Sequence, residues 1–454
     1  MEHLVLNIAK ENGYFKQAAE SPSFLRMSIL TRIEALNYRC LRYIDQPLKD
    51  FHVLVGPNAS GKTTLLDVVA FLGKLVSDGP KAAVFERTHN FQDLVWQRES
   101  KGFELAIEAR IPEGLREKLT NGDFDCVRYE VVVEFNYEKE EIGITDERVL
   151  LKIDEPYTPM ERTLFPLPKP PPKTILTKMG TLGKQWVLRK KPDGNDNYYP
   201  EVRGNGKGGW IPTLRLGPKR SALGALPEFG FLTEEGELRY PVATWLKNLL
   251  TEGVQQFILN SQLIRKACPP GQGRLFKPDG SNLPWVIEDL KEKDSQRFRA
   301  WIEHVRTALP DIEDIRTVER EDDRHRYLMV CYSGGLEVPS WMVSDGTLRL
   351  LALTLPAYLT DFEGVYLIEE PENGIHPRAV QTMIQSLSSV YNAQILLATH
   401  SPVILSFVDA EDVLCFAKTP EGATDIVSGI EHPSLENWRG ELNLSLLFAS
   451  GVLG

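Results

Sequence analysis

Cysteine is scarce in this chain: there are five in 454 residues, Cys40, Cys126, Cys268, Cys331 and Cys415, and no two form a Cys-x-x-Cys pair. Scattered and odd in number, they describe thiols in a reducing compartment, not a disulfide framework or a zinc site. Positive charge is also short. Lys and Arg number 52 against 63 Asp and Glu, a formal net charge of −11. The field of the whole molecule does not steer nucleic acid toward it, so only a local basic patch could serve that role. No apolar run approaches the roughly 20 residues of a membrane-spanning helix. The start, Met1-Glu2-His3-Leu4, lacks the basic and apolar blocks of a secretory signal. These absences lead us to expect a cytoplasmic protein with no membrane contact. Internal repeats and sustained heptads are missing too, which argues against a solenoid or a long coiled-coil arm.

Hydrophobic residues make up 42% and charged residues 25%, enough apolar side chain for one large core or two ordinary ones. Residues 1–26 form a polar extension with a break at Ser21-Pro22-Ser23. Over 27–165, an alternating run from Ile29 to Leu36 and an apolar run from Phe51 to Val55 read as strands. Leu65, Leu66, Val69 and Leu72 are spaced for a helix. Alternating runs at 103–108, 129–135 and 149–153 suggest an antiparallel β-lobe. Residues 166–209 begin with Pro166, Pro168, Pro170, Pro171 and Pro172 and continue rich in Lys and Gly, which predicts an insertion or exposed ribbon outside the core. Helical spacing returns over 210–335, with Trp245, Leu246, Leu249 and Leu250 on one face. From 336 to 454 strands and helices alternate, with strands expected at 364–368 and 394–398. That order predicts a parallel sheet completed by the N-terminal strands across a long insertion.

Four motifs carry chemistry. Gly56-Pro57-Asn58-Ala59-Ser60-Gly61-Lys62-Thr63 matches a phosphate-binding loop in its required setting, after an apolar strand and before a helix. Its glycines let backbone N–H groups wrap phosphates, Lys62 would reach the β- and γ-phosphates, and Thr63 would hold Mg²⁺. Thr64, next in the helix, belongs to the same nucleotide cradle. Val365 to Ile368 reads as a buried strand that ends in Glu369 and Glu370. Adjacent strand residues face opposite sides, so Glu369 is assigned to the metal and Glu370 to the attacking water as general base. The same composition, followed by Pro371, also suits a surface acidic turn. Ser344-Asp345-Gly346-Thr347-Leu348-Arg349 precedes an apolar helical run, either as an anion site at a helix N-terminus or as an ordinary cap. Leu396 to Thr399 leads to His400, at the strand end where a parallel sheet presents ligands, or else in a structural role. His376, after Glu372-Asn373-Gly374-Ile375, suits a turn.

In order and spacing, these motifs resemble the ATP-binding-cassette ATPases, and most closely the RecF-like, AAA-annotated soluble branch. The resemblance covers about 29–75 and 338–415. It implies an α/β fold: an ABC-ATPase head with a parallel sheet core, an antiparallel β-lobe and a helical insertion. It further implies ATP and Mg²⁺ as cofactors and a homodimer, or higher oligomer, with ATP sandwiched between subunits. Ser344 and Gly346 would then meet the γ-phosphate held by the other subunit's Lys62, and His400 would sense that phosphate. Arg39 in Leu36-Asn37-Tyr38-Arg39-Cys40-Leu41 would lie near the phosphates, and Glu372–His376 would form the loop that crosses the dimer. Two departures stand out. Glu369 occupies a place where most members carry Asp, and Asp345 one where transporters carry Gly. Gln92 and Gln97 are the candidates for the family's glutamine loop.

Three functions fit. One is an ATP-gated switch in phage defence that acts on a separate effector such as a nuclease. Only 54 residues follow His400, fewer than the order of 100 that a fused Toprim nuclease domain needs, and ATPase subunits of PARIS-like and Septu-like systems are similar in plan. A second is a RecF-like clamp on DNA, with Lys184, Arg189, Lys190, Lys191, Arg203 and Lys207 on phosphates; the overall negative charge favours reading the same run as a solvated ribbon. The third is a scaffold that binds ATP without hydrolysing it, against which Glu370 speaks. The 1–26 and 166–209 segments are candidate partner surfaces or plain disorder.

Overall fold

The computed structural model of the chain describes residues 28–120, 122–155, 162–178, 180–191, 194–202, 213–226, 238–436, 444–449 and 451. The first three strands follow in quick succession: β1 (Leu30–Tyr38), β2 (Leu41–Pro47) and β3 (Phe51–Val55). The first two enter an eight-stranded sheet with β4 (Gly102–Arg110), β5 (Cys126–Asn136), β6 (Glu141–Lys152), β7 (Lys184–Lys190), β8 (Asp196–Tyr198) and β9 (Thr213–Leu214), in the order β2-β1-β4-β5-β6-β7-β8-β9. Every pairing in it is antiparallel.

β3 goes elsewhere. It joins β10 (Val254–Phe257) and, past a small antiparallel sheet of β11 (Ile312–Glu319), β12 (Arg326–Tyr332) and β13 (Leu336–Pro339), four strands from the C-terminal third. These are β14 (Gly364–Glu369), β15 (Ala393–Ala398), β16 (Val413–Lys418) and β17 (Thr424–Ser428). The order is β10-β14-β15-β3-β16-β17, parallel except for the last pair. All five residues of β3 and all six of β15 are buried, as expected for parallel strands covered on both faces.

Strand alternation divides the interior in two. Leu54, Val365, Leu367, Leu396 and Leu414 face one core, with the helix Lys62–Asp78, the helix Pro241–Thr251 and the antiparallel sheet. Val53, Val55, Tyr366, Ile368, Ile395 and Leu397 face the other, beneath the helices Leu283–Lys293, Ser295–Ala308, Asp345–Thr354 and Pro377–Ser388. The architecture is thus the expected α/β head: a parallel core sheet, an antiparallel lobe and helices. Among the described residues, no helix is long and apolar enough to cross a membrane.

The structure corrects two sequence expectations. The ribbon expected outside the core over 166–209 contributes β7 and β8 to the antiparallel sheet, with Val187, Leu188 and Tyr198 fully buried. Its basic composition hid a strand whose charge is neutralised internally: Lys190 and Asp196 are each 2% exposed and 3.1 Å apart. Lys190 is therefore withdrawn from any contact with DNA phosphates, and Arg203 and Lys207 lie outside the described residues. The 210–335 segment is not helical throughout, because it supplies β10, β11 and β12. The 1–26 extension lies outside the described residues.

The Lys190–Asp196 pair makes a stability prediction. Asp196 also accepts the Leu216 N–H at 2.8 Å, so Asp196→Ala strands a buried ammonium and a backbone donor. Urea unfolding should show a loss of about 3–5 kcal/mol; a change within about 0.5 kcal/mol contradicts the assignment.

Candidate active site

β15 hydrogen-bonds to β14 on one side and β3 on the other. The loops leaving their C-terminal ends therefore open onto one crevice. From β3 the chain turns through Gly56–Gly61 into the helix Lys62–Asp78, with φ of 148° at Gly56, 60° at Ala59 and 108° at Gly61. A Cβ on Gly56 would stand 2.2 Å from the Phe416 carbonyl oxygen, and one on Gly61 2.4 Å from Thr424 Oγ1. Only glycine fits either place. Ser60 is buried and, among the described residues, its hydroxyl has no hydrogen-bond partner. Lys62 Nζ donates to the carbonyls of Gly56 (2.8 Å) and Pro57 (2.9 Å). Burial pushes its pKa down to about 8, against the opposing pull of Glu370 and Glu369. A glycine cradle, an orphan hydroxyl and a desolvated ammonium together fit a polyphosphate. Asn58 and Thr63 face outward, while Thr64 is buried with Oγ1 3.4 Å from Cys40 Sγ.

Thr63 Oγ1 donates to Glu369 Oε2 at 2.7 Å. The hydroxyl and carboxylate assigned to one Mg²⁺ are thus already neighbours, and this donor set of hard oxygens suits that ion. The other oxygen of Glu369 accepts from Gln256 Nε2 at 3.3 Å. Gln256 is a site residue that sequence reading missed. Gln92 and Gln97 bond instead to the Tyr137 hydroxyl and the Glu421 carbonyl. Nothing local marks Gln256, because its four-residue strand has no alternation; its significance comes from pairing beside β14.

Glu370 leaves β14 with φ of 45°, a left-handed conformation that costs a non-glycine residue of order 1 kcal/mol and recurs at functional sites. Its carboxylate accepts from Asn373 Nδ2 at 2.6 Å and stands 3.7 Å from His400 Nε2. Glu369 and Glu370 therefore have different partners, and the turn at Glu370, just past the end of the strand, sets its direction. Arg39, also left-handed with φ of 52°, donates to Asp67 at 3.2 Å. Asp67 sits one turn beyond Thr63 on the phosphate-loop helix, which keeps Arg39 near the loop.

Ser344 caps the helix Asp345–Thr354 by accepting the Thr347 N–H at 3.2 Å. A Cβ on Gly346 would stand 2.4 Å from the Gly374 carbonyl oxygen, so this turn is seated on the loop that follows Glu370. Among the described residues, neither Ser344 nor Gly346 bonds to the chain's own phosphate loop. His376 caps the helix Pro377–Ser388 by accepting the Arg378 N–H through Nδ1, the turn role read from the sequence.

A fold with this loop, these carboxylates and this histidine at the C-terminal ends of neighbouring parallel strands defines an ATPase of the AAA/ABC type. Residues 51–162 and 249–406, more than half of the chain, match the family described as "AAA domain, putative AbiEii toxin, Type IV TA system", and the chain belongs to that family. It is also 29% identical over 157 residues to the "Retron Vc95 probable ATPase" of Vibrio cholerae serotype O1 biovar El Tor. That match covers 30% of this chain and 29% of the relative. Among solved structures, an Smc head bound to the C-terminal winged-helix domain of ScpA is 14% identical, covering 88% of this chain and 98% of that one, with a TM-score of 0.47. An Smc head domain with an extended coiled coil, bound to the C-terminal domain of ScpA derived from Pyrococcus furiosus, is 13% identical, with coverage of 88% and 96% and a TM-score of 0.45.

The position of Lys62 sets a pH dependence. Only the protonated amine attracts phosphate, and the free loop loses that proton as pH rises through about 8. Titration with ATP should give constant affinity near pH 7 and a loss of about tenfold by pH 9. Lys62→Ala should bind weakly at every pH with no such slope. A wild-type profile flat through pH 9.5 contradicts the role of Lys62.

Proposed function

We propose that the chain binds ATP with Mg²⁺, dimerises around it, hydrolyses it, and so works as a nucleotide-gated switch on a separate effector in antiviral defence. The observation that carries the enzymatic part is the gathering of the Gly56–Thr63 loop, the Thr63–Glu369 contact and the Glu370–His400 pair at the C-terminal ends of neighbouring parallel strands. Thr63 and Glu369 would hold the ion, which supplies charge neutralisation at the phosphates. Gly56, Asn58, Ser60, Gly61, Lys62 and Thr64 cradle the phosphates, with Arg39 beside them. Glu370, held by Asn373, takes a proton from water as its oxygen attacks the γ-phosphorus. The bond to the β–γ bridging oxygen breaks, leaving ADP and phosphate. His400, 3.7 Å from Glu370, would meet the departing phosphoryl group.

Dimerisation is supported by the exposed Ser344 cap, which among the described residues makes no hydrogen bond to the chain's own phosphate loop: a helix N-terminus of a kind that suits an anion is left open to a second copy. The defence reading is supported by the family's description and by the retron relative. No observation favours DNA as the output, since the basic run is partly buried.

The Glu370→Gln chain tests the reading. Steady-state turnover should fall at least about 100-fold, and native mass with ATP and Mg²⁺ should give a nucleotide-loaded dimer. Near-normal turnover removes Glu370 as the base. When the tagged variant is purified from its native host, a stoichiometric second protein is expected, and a bare dimer that retains DNA turns the reading to a repair clamp.

A further inference from the structure

Asp345 creates an electrostatic problem for the dimer. A helix N-terminus attracts anions through its free N–H groups and the positive end of its dipole. The helix Asp345–Thr354 has Ser344 as its cap and Asp345 in its first turn. A carboxylate there suits the helix but repels an incoming phosphate, because two negative charges compete for one positive end.

The fold supplies a counter-charge from one short segment. Arg265 Nη2 donates to Asp345 Oδ1 at 3.3 Å, and Ser261 Oγ donates to Asp345 Oδ2 at 2.8 Å. Both carboxylate oxygens are thereby engaged from one side. Arg265 also holds the turn that leads into the helix: its Nη1 donates to the Trp341 carbonyl at 3.2 Å, and its own carbonyl accepts from Ser340 Oγ at 3.0 Å. Ser340 is fully buried, so the backbone at Arg265 is anchored to the interior while its guanidinium spans Trp341 and Asp345. A lone ion pair as exposed as this one contributes little to folding, because water screens it. Its geometry makes more sense as positioning. The segment also has a second end. Gln256, which reaches Glu369, lies nine residues before Arg265, so one stretch of chain touches the metal-side carboxylate and fastens the Ser344 turn.

We propose that Arg265, assisted by Ser261, neutralises Asp345 and turns it aside, so that the Ser344–Gly346 turn can accept the terminal phosphate of a nucleotide bound by a second copy of the chain. The inference rests on the dimer reading above. Arg265 is a positioning residue, acting through Asp345 on a ligand it does not itself bind.

The test is made in the full-length Glu370→Gln background, with ATP-driven dimerisation followed by sedimentation velocity. ATP affinity is measured separately with a fluorescent ATP analogue at protein concentrations too low for dimers. Arg265→Ala should weaken dimerisation at least about 30-fold, because an unneutralised like charge then faces the phosphate. It should leave the affinity of the isolated chain within about twofold. Adding Asp345→Asn to Arg265→Ala should restore dimerisation to within about threefold of the parent, since no charge then needs covering. Arg265→Lys, which keeps the charge, should lose less than about fivefold. A guanidinium needed only for local folding would not be rescued by Asp345→Asn. Dimerisation of Arg265→Ala equal to its parent, or a double variant as defective as the single, overturns the inference while the dimer reading stands. A Glu370→Gln parent that stays monomeric with ATP overturns the dimer reading itself, and this inference with it.

Discussion

Thr63 and Glu369 are 306 residues apart in sequence and 2.7 Å apart in space. Bringing them together is the constraint on which the rest of the fold depends. It is met by inserting β3, from the first eighth of the chain, between β15 and β16 from the last quarter. A buried glutamine secures the seam. Gln394, 1% exposed on β15, accepts the Leu30 N–H and donates to the carbonyls of Leu30 and Lys49. Such a group is costly to bury unless fully bonded, so it specifies where the N-terminal strands dock.

The phosphate loop is braced from behind by the same C-terminal strands. Phe416 closes on Gly56, and Thr424 closes on Gly61 while donating to the Ser60 carbonyl at 2.9 Å. Asp425, the next residue, accepts both from Arg162 and from the Leu167 N–H. The segment leaving the antiparallel lobe is therefore fastened one residue from a contact with the loop. Rigid support of this kind is what a site needs when its chemistry is mostly positioning and electrostatics.

Much of this was legible in the sequence, for identifiable reasons. Gly56–Thr63 announces itself because the glycines, the lysine and the threonine must sit at fixed spacing between a strand and a helix. β14 and β15 are continuous apolar runs, the pattern of strands buried on both faces, and the residues proposed for the chemistry, Glu369, Glu370 and His400, lie at or just past their ends. What escaped notice depends on tertiary neighbours. β7 reads as a basic ribbon because its lysine is neutralised by Asp196, six residues on in the chain and across a strand turn. Gln256 looks like any polar residue until β10 is seen beside β14. Arg265 gains its meaning only from Asp345, 80 residues later. Local patterns disclosed the elements; which polar side chains work together follows from packing that no short window contains.

The central claim is that one chain supplies the cradle, metal-side carboxylate and base for a nucleotide, while its Ser344 turn serves the nucleotide of another. The most direct measurement is a crystal structure of the wild-type chain with Mg²⁺ and a non-hydrolysable ATP analogue. Two copies should lie head to head, each analogue between Lys62 of one and Ser344 of the other, with Thr63 and Glu369 at the ion. An analogue seated on Lys62 with the Ser344 turn of every copy facing solvent contradicts it.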